Sequence, residues 1–222
     1  MAGLCGFHFQ VSVPKEVNGM KALSTLLIAS LLAALSPADA GCQAPKQSSA
    51  PQPYNDPDAY EIYSIMLGSS GLAGEVRAKS LVIQEETDVY PQFMPVERCL
   101  KDPSLAWSHR DLIDDFKSAN QAPRILQRLL KTTLPYQVVS RAKIEGLFGA
   151  GGWKAFFETF PDSGGYTQFS AVGFSQDRTR ALLYSGYSCG FLCGGGTYYF
   201  WVKADGKWKP EDPSPTACRW VS

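Results

Sequence analysis

The stretch TYYFWVKADGKWK, residues 197–209, decides the fold class of this chain. Its first half is dense in aromatic and β-branched residues, which favour strands over helices. Asp205-Gly206 is a two-residue turn signal, and Lys207-Trp208-Lys209 follows it as a returning strand. The stretch therefore predicts a β-hairpin.

Two further strands are predicted directly upstream of this hairpin. Residues 166–174 (YTQFSAVGF) and 180–188 (RALLYSGYS) are runs rich in β-formers. The polar segment SQDRT, residues 175–179, joins them as a turn. Together these signals predict an antiparallel β-meander in the C-terminal third of the chain.

The part of the chain before the meander carries helix signals. Asp56-Pro57 starts a helix with a capping residue and a proline at the first helical position. Apolar residues then recur at helical spacing as far as Gly68. Ser108 and Asp111 resemble a capping box at the start of another helix. Shorter helices are predicted over residues 124–131 and 153–160.

Strands are also predicted in this part, over residues 80–87 and 136–140, with an extended loop over residues 90–103. The N-terminal helices are expected to pack on the C-terminal antiparallel β-meander, because each element must bury its apolar face against another. The predicted fold class is therefore α+β, with residues 55–222 forming a single domain.

Residues 20–40 have the three parts of a secretory signal peptide. Met20-Lys21 is a short positive start, residues 22–35 are mostly apolar, and Ala38-Asp39-Ala40 supplies small residues for cleavage. The apolar run is shorter than the roughly 20 residues that a transmembrane helix needs. We therefore expect an exported protein that is periplasmic, secreted or envelope-anchored. Residues 1–19 are interpreted as a spurious upstream extension, with a genuine leader as the alternative.

Two alternative products follow from this signal. Simple cleavage leaves a chain that starts near Gly41. Alternatively, Ala40-Gly41-Cys42 resembles the end of a bacterial lipoprotein signal, in which Cys42 is lipidated, although Asp39 is unusual there. Residues 41–54 are rich in Pro, Ser and Gln and are predicted to form a disordered tether. Contact with a membrane is expected only through a lipid on Cys42.

The cysteines that follow the signal peptide predict a disulfide frame. They are Cys42, Cys99, Cys189, Cys193 and Cys218, and their odd number favours a separate fate, lipidation, for Cys42. The other four allow three connectivities, of which the spacing favours Cys189–Cys193 across a tight loop and leaves Cys99–Cys218. A zinc site or a thioredoxin-type redox pair fits this spacing less well. No metal or other cofactor is predicted.

The charges of the chain bear on its partners. It carries 21 basic and 21 acidic residues, which give a formal net charge of zero. A nucleic-acid-binding protein normally presents a basic patch or stripe on its surface. Nucleic acid is therefore not an expected partner.

Candidate binding residues lie in and after the segment CGFLCGGG, residues 189–196. Gly194, Gly195 and Gly196 would present free backbone amides to an anion or polar ligand, although a plain stapled connection between strands explains them as well. Tyr199 and Trp201 form a sticky platform if they face solvent together; otherwise they are core residues. The partner class stays open between a protein, a glycan and a peptide.

Catalytic candidates are few. Glu85 and Glu86 would supply paired carboxylates for hydrolysis, and His109 is the one histidine after the signal peptide. Solvent-facing carboxylates and a helix start around His109 are the competing interpretations. We therefore expect a non-catalytic binding or envelope-support module stapled by disulfides, with a secreted hydrolase built on these residues as the alternative.

Part of the chain resembles a set of uncharacterised bacterial secreted or lipid-anchored proteins. The shared pattern runs from FPxSxG at 160–165 through VGF at 172–174 to the CGxxCGxG segment at 189–196, and ends in KxxGxW at 203–208. The resemblance implies a similar fold and the same export. It implies no particular activity, cofactor or partner.

Overall fold

The computed structural model describes residues 50–68, 78–89, 95–216 and 219–221, which form an α+β structure as predicted. The helices are α1 Pro57–Gly68, α2 Val96–Cys99, α3 Leu105–Ser108, α4 Arg110–Ala119 and α5 Arg141–Thr159. The strands are β1 Gln52–Tyr54, β2 Ser80–Gln84, β3 Arg124–Leu126, β4 Tyr136–Val139, β5 Ser163–Phe169, β6 Gly173–Phe174, β7 Arg180–Gly190, β8 Cys193–Ala204, β9 Lys207–Pro210 and β10 Arg219–Val221. The predicted signal peptide and Cys42 lie outside the described residues.

Most of the strands form one mixed sheet. Its order is β10-β8-β7-β5-β2-β4, with β6 paired to β7 and β9 paired to β8. The β5–β7, β7–β8 and β8–β9 pairs are antiparallel, as the meander required. Strand β2 is instead parallel to both β4 and β5. The prediction of a purely antiparallel meander is therefore wrong, because parallel strands are joined by long crossovers that leave no local turn signal.

Helix α1 covers one face of this sheet. The Asp56 carboxylate accepts hydrogen bonds from the backbone N–H groups of Asp58 (3.0 Å) and Ala59 (3.2 Å), which confirms the predicted helix start. The apolar side of α1 is buried, with Ile62 and Tyr63 inaccessible to solvent. It shares one core with residues of seven strands, among them Leu81, Ile83, Leu126, Phe169, Phe174, Leu183, Trp201 and Trp208.

Helices α4 and α5 cover the opposite face. Helix α4 packs on β7 and β8, with Phe116 at the centre of the contact. Helix α5 packs on β2 and β4, with Phe156 fully buried. Side chains alternate along β7, so that Leu182 faces α4 and Leu183 faces α1. Because both faces are covered, both sets of alternating side chains in β7 and β8 belong to a core.

Residues 124–131 do not form the predicted helix. Arg124–Leu126 is β3, which pairs in parallel with β1, so the predicted tether also ends earlier than residue 54. The buried Thr87 fixes β3: Arg124 N donates to Thr87 Oγ1 (2.9 Å), and Thr87 N donates to Arg124 O (2.8 Å). Hydrogen bonds from distant parts of the chain thus override a helix-like pattern.

The capping box predicted at Ser108 and Asp111 is also wrong. Ser108 is the last residue of α3, and α4 begins at Arg110 without a side-chain cap. The Ser108 hydroxyl donates back to Leu105 O (3.2 Å) and does not reach forward into α4. Ser108 therefore belongs to the short helix α3, which directly precedes α4, and does not cap α4.

The aromatic helix predicted over residues 153–160 is the second half of a longer element. Helix α5 starts at Arg141, after Ser140, whose hydroxyl accepts a hydrogen bond from Lys143 N (3.3 Å). Gly152, with φ 64° and ψ −143°, interrupts it within the glycine-rich stretch GAGG at residues 149–152. Glycines in the first half of α5 are weak helix formers and hid it from sequence analysis.

A buried asparagine joins α4 to the loop between β5 and β6. Asn120 donates through Nδ2 to Phe116 O (2.8 Å) and to Ala171 O (3.0 Å), and its Oδ1 accepts from Ala171 N (2.8 Å). Leucine has a similar volume but would leave the buried Ala171 N–H without its partner, while the Ala171 carbonyl would keep only its hydrogen bond from Ser170 Oγ (2.9 Å). We expect Asn120→Leu to lower the free energy of unfolding by about 2 kcal/mol in urea denaturation. The exposed neighbour offers a control, since Gln121→Ala should change it by less than about 0.5 kcal/mol; equal effects would contradict the role of Asn120.

Candidate functional site

The β7–β8 hairpin ends in two exposed apolar side chains. Its strands pair from Arg180 and Val202 up to Gly190 and Cys193. Phe191 and Leu192 form the turn between them, and each is 87% exposed. Exposed apolar residues scattered singly need no explanation, but these two are adjacent at the end of a long hairpin. Residues 189–193 are called the tip below.

A disulfide between Cys189 and Cys193 closes the tip, as predicted. The two cysteines are four positions apart, so the loop they close holds Gly190, Phe191 and Leu192 alone. A covalent loop this small has few conformations in either the folded or the unfolded chain. The two apolar side chains are therefore presented by a constrained turn.

The base of the tip packs closely on β5. Gly165 has φ 128°, and a Cβ at this position would lie 2.1 Å from Ser188 O and 2.8 Å from Cys189 Cα. Only glycine fits both the conformation and the approach. The strand that carries Cys189 is thereby held against its neighbour in the sheet.

The three glycines after the tip are strand residues. Gly194, Gly195 and Gly196 are buried and pair with residues 186–188 of β7. On their other side, Gly195 and Gly196 pair with β10. Gly195 and Gly196, paired on both sides, do not offer a row of free amides, which favours the stapled connection between strands over the anion-binding rim.

The glycines instead make room for aromatic side chains. A Cβ on Gly196 would lie 2.1 Å from Tyr184 Oη and 2.6 Å from Trp220 Nε1. Trp220 Nε1 donates a hydrogen bond of 2.7 Å to Tyr184 Oη across this space. The pair joins the edge strand β10 to the lower part of the hairpin.

The aromatic platform predicted from Tyr199 and Trp201 does not form. Trp201 is 2% exposed and lies in the α1 core, and Tyr199 is partly buried against the same core. The alternation was predicted correctly, but α1 covers the face on which both rings lie. Of the two alternatives stated for these residues, the structure shows the packed one.

No protein-family model, curated protein or solved structure matches this chain. Its resemblance to bacterial secreted or lipid-anchored proteins therefore stays a prediction. None of the helices in the described ranges is long and apolar enough to cross a membrane. Within the same ranges, no cluster of His, Cys, Asp or Glu is arranged to hold a metal ion.

The predicted catalytic residues are not brought together. Glu86 Oε2 accepts a hydrogen bond of 2.6 Å from Arg141 N, at the start of α5, and Glu85 directly precedes it. His109 lies next to α4, with Nδ1 at 2.9 Å from Leu105 O and Nε2 against Arg180. Burial and then the charge of Arg180 lower the pKa of His109. In the described part of the chain, no hydrogen bond or ion pair links either glutamate to this histidine.

Cys99 lies in α2, within the segment predicted as an extended loop. It is buried, and Thr216 Oγ1 donates to its carbonyl oxygen at 3.2 Å. Leu100 and Thr216 also form an isolated β-bridge. Cys99 takes part in a disulfide, and its predicted partner Cys218 follows Thr216 by two residues. Because Cys218 lies outside the described residues, the Cys99–Cys218 pairing stays a prediction.

Sequence analysis singled out the cysteines and glycines of this region but not the two residues between them. The sequence around Phe191 and Leu192 does predict their exposure, because two large apolar residues inside a tight disulfide loop cannot fold back onto a hydrophobic core. The exposed Trp107 of α3 was missed as well. The residues next to Trp107 in the sequence do not predict its exposure, because this depends on how α3 packs against α4.

Proposed function

We propose that this chain is an exported, non-catalytic binding module that grips a protein partner with its stapled tip. The observation that carries the proposal is the 87% exposure of both Phe191 and Leu192 in a disulfide-closed turn. Val221, 68% exposed, pairs with Gly195 on the edge strand and adds apolar surface at the same end of the sheet. An apolar knob of this kind fits a concave apolar pocket on a partner.

Energetics support the tip as an anchor. Full burial of each of the two side chains would contribute about 1.5–3 kcal/mol by transfer from water. The disulfide reduces the entropy that the turn loses when it is held in a pocket, which is the usual benefit of a preorganised contact. The same two residues contribute little to the stability of this chain, because they contact little of it.

The alternative of a hydrolase has less support. An enzyme gathers convergent polar groups in one concave site. Here the Glu86 carboxylate is engaged with the first turn of α5, and the His109 ring is enclosed by α3, Arg180 and Phe200. Both groups thus have structural partners, which favours the binding module.

Site-specific crosslinking tests the tip. Phe191 is replaced by the photoreactive analogue p-benzoylphenylalanine in the full chain, and cells that produce it are irradiated. We expect one discrete protein adduct, lost when Leu192→Ser is added. The same analogue at Leu129, which is 53% exposed, is the matched control and should not give that adduct. No adduct at position 191, the same adducts at both positions, or flotation with phospholipid vesicles of a purified Cys42→Ser chain, which cannot carry the lipid, would overturn the proposal.

Export is tested on the mature chain. We expect mass spectrometry to find an N-terminus at Gly41, or a lipid on Cys42, in protein recovered from the medium or the cell envelope. Protein that stays in the cytoplasm and keeps residues 20–40 would refute export. This outcome is independent of the crosslinking result, because the tip forms from residues far from the signal.

The disulfide can be removed without changing the apolar side chains. We expect Cys189→Ser combined with Cys193→Ser to lower the free energy of unfolding by about 2 kcal/mol, the loop-entropy value for so small a ring. Yield of the tip crosslink should fall several-fold, because a loose turn must be ordered on binding. Phe191→Ser with Leu192→Ser is the converse control: it should abolish partner binding and leave the urea midpoint nearly unchanged. An undiminished crosslink yield for Cys189→Ser combined with Cys193→Ser would contradict the role of the disulfide.

A further inference from the structure

A second exposed aromatic side chain lies far from the tip. Trp107, in the short helix α3, is 77% exposed. The α3 helix is fixed to the start of α4, because Ile113 N donates to His109 O (2.9 Å) and His109 N donates to Leu105 O (3.0 Å). Trp107 is thus held at the surface by two helices that are joined by hydrogen bonds.

Trp107 borders a shallow cavity of about 230 Å³. Ala106, Trp107 and Ile113 supply its apolar part, and Glu97, Arg110 and Asp114 supply its polar part. The guanidinium carbon of Arg110 lies 5.4 Å from the centre of the indole ring, a cation–π distance that steadies one side of the ring. The cavity therefore combines an aromatic surface with charged groups that can donate and accept hydrogen bonds.

The charges around the cavity are balanced. Arg110 pairs with Asp114 at 3.6 Å, and Lys117 pairs with Glu97. Two carboxylates are thus matched by two cations, which gives no net attraction for an anion or a cation. All of these groups still lie at the surface, where they can exchange hydrogen bonds with the hydroxyl groups of a neutral ligand.

We infer that this cavity binds one ring of a neutral, gluco-configured glycan. A pyranose with equatorial substituents has two flat faces of C–H groups, which suit an aromatic surface, and a rim of hydroxyls, which suit Glu97, Arg110 and Asp114. A β-1,4 linkage is equatorial and keeps both faces free. A cavity of about 230 Å³ holds one such ring but is too small for a peptide helix or a folded partner.

The position of the cavity gives it a role distinct from that of the tip. His109, two residues after Trp107, contacts Arg180, the first residue of β7. The tip lies at the other end of this strand, which has 11 residues and is therefore about 35 Å long. The chain would hold a glycan at one end of the hairpin and a protein at the other.

Titration calorimetry with cellohexaose and chitohexaose tests the glycan site on the full chain. Sorbitol, which has hydroxyl groups but no ring face, is the control ligand. We expect at least one hexaose to bind and sorbitol not to bind. Trp107→Ala should weaken binding at least tenfold, and Trp107→Phe, which keeps an aromatic face, should weaken it less. Circular dichroism should show that both variants remain folded, as expected for a residue that is 77% exposed.

The outcomes separate this site from the tip. Phe191→Ser with Leu192→Ser should leave hexaose affinity unchanged, whatever the crosslinking experiment shows. No binding of either hexaose up to about 10 mM would overturn the inference. Equal affinity of the native chain and Trp107→Ala, or equal losses in the alanine and phenylalanine variants, would overturn it as well.

Discussion

Replacing Gly173 by alanine is expected to lower the free energy of unfolding by more than about 3 kcal/mol, the upper end of overpacking costs. A Cβ at this position would lie 2.4 Å from both the Cα and the N of Phe116, and 2.5 Å from its Cβ. The Cα and N atoms belong to the helix backbone, to which the Cβ is directly bonded, so none of them can move aside as the end of a flexible side chain would. Helix α4 would therefore have to move away from β6. This movement is costly because Phe116 is fully buried and because Asn120 joins the same helix to the adjacent loop.

Urea denaturation followed by circular dichroism measures this effect. Gly149→Ala is the matched control: it makes the same chemical change in α5, where an added Cβ meets nothing within 4 Å. Alanine is the better helix former, so this control should leave the stability unchanged or raise it by up to about 1 kcal/mol. A Gly173→Ala variant within about 1 kcal/mol of the native chain would show that α4 is not seated on β6 as described.

The parts of the fold that sequence analysis predicted well are those with local causes. The β8–β9 hairpin follows from Asp205-Gly206, whose φ values of 51° and 74° are those of the expected turn. Helix α1 follows from Asp56, whose carboxylate caps it, and from an apolar spacing that the core reproduces. Cys189–Cys193 follows from spacing alone. In each case a few neighbouring residues carry the whole signal.

The parts that were missed depend on distant neighbours. The period of two along β8 correctly separates Tyr199 and Trp201 from Tyr198 and Phe200. It cannot show that helices cover both faces, and that fact removes the predicted platform. Likewise, no local sequence pattern around Gly195 predicts its pairing with β10, a strand of only three residues. Both proposals rest on exposed residues, Phe191 and Trp107. Their exposure depends on which distant parts of the described chain pack over them, and a local sequence pattern does not show this.

A cluster of charges between α1 and the β7–β9 region leads to the second large effect. Asp58 Oδ1 accepts from Lys203 Nζ (2.8 Å) and Trp208 Nε1 (2.9 Å), and its Oδ2 accepts from Arg178 Nη2 (3.0 Å). Asp58 thus ties the first turn of α1 to strands more than a hundred residues away. Burial raises the pKa of Asp58, but the hydrogen bonds from Lys203, Trp208 and Arg178 outweigh it and lower the pKa to about 2.

We expect Asp58→Asn to lower the free energy of unfolding by about 3 kcal/mol at pH 7, because three donors lose their anionic partner. The pKa of Asp58 is about 2 in the folded chain and 3.8 for an ordinary Asp. A carboxyl with a depressed folded pKa stabilises the fold above its unfolded pKa, and this contribution is lost as the pH falls through the folded one. The difference between the native chain and Asp58→Asn should therefore shrink between about pH 4 and pH 2, to about 1 kcal/mol.

Urea unfolding of both chains at pH 7, 4 and about 2.5 tests this dependence. Glu158→Gln is the control, since its side chain is 66% exposed and its pair with Lys154 has a separation of 3.9 Å. It should change the stability by less than about 0.5 kcal/mol at each pH. A difference in stability between the native chain and Asp58→Asn that stays constant down to the lowest pH would mean that the variant is destabilised by altered packing and not by the loss of the carboxylate charge. In that case the charge of Asp58 would not be what joins α1 to β8 and β9.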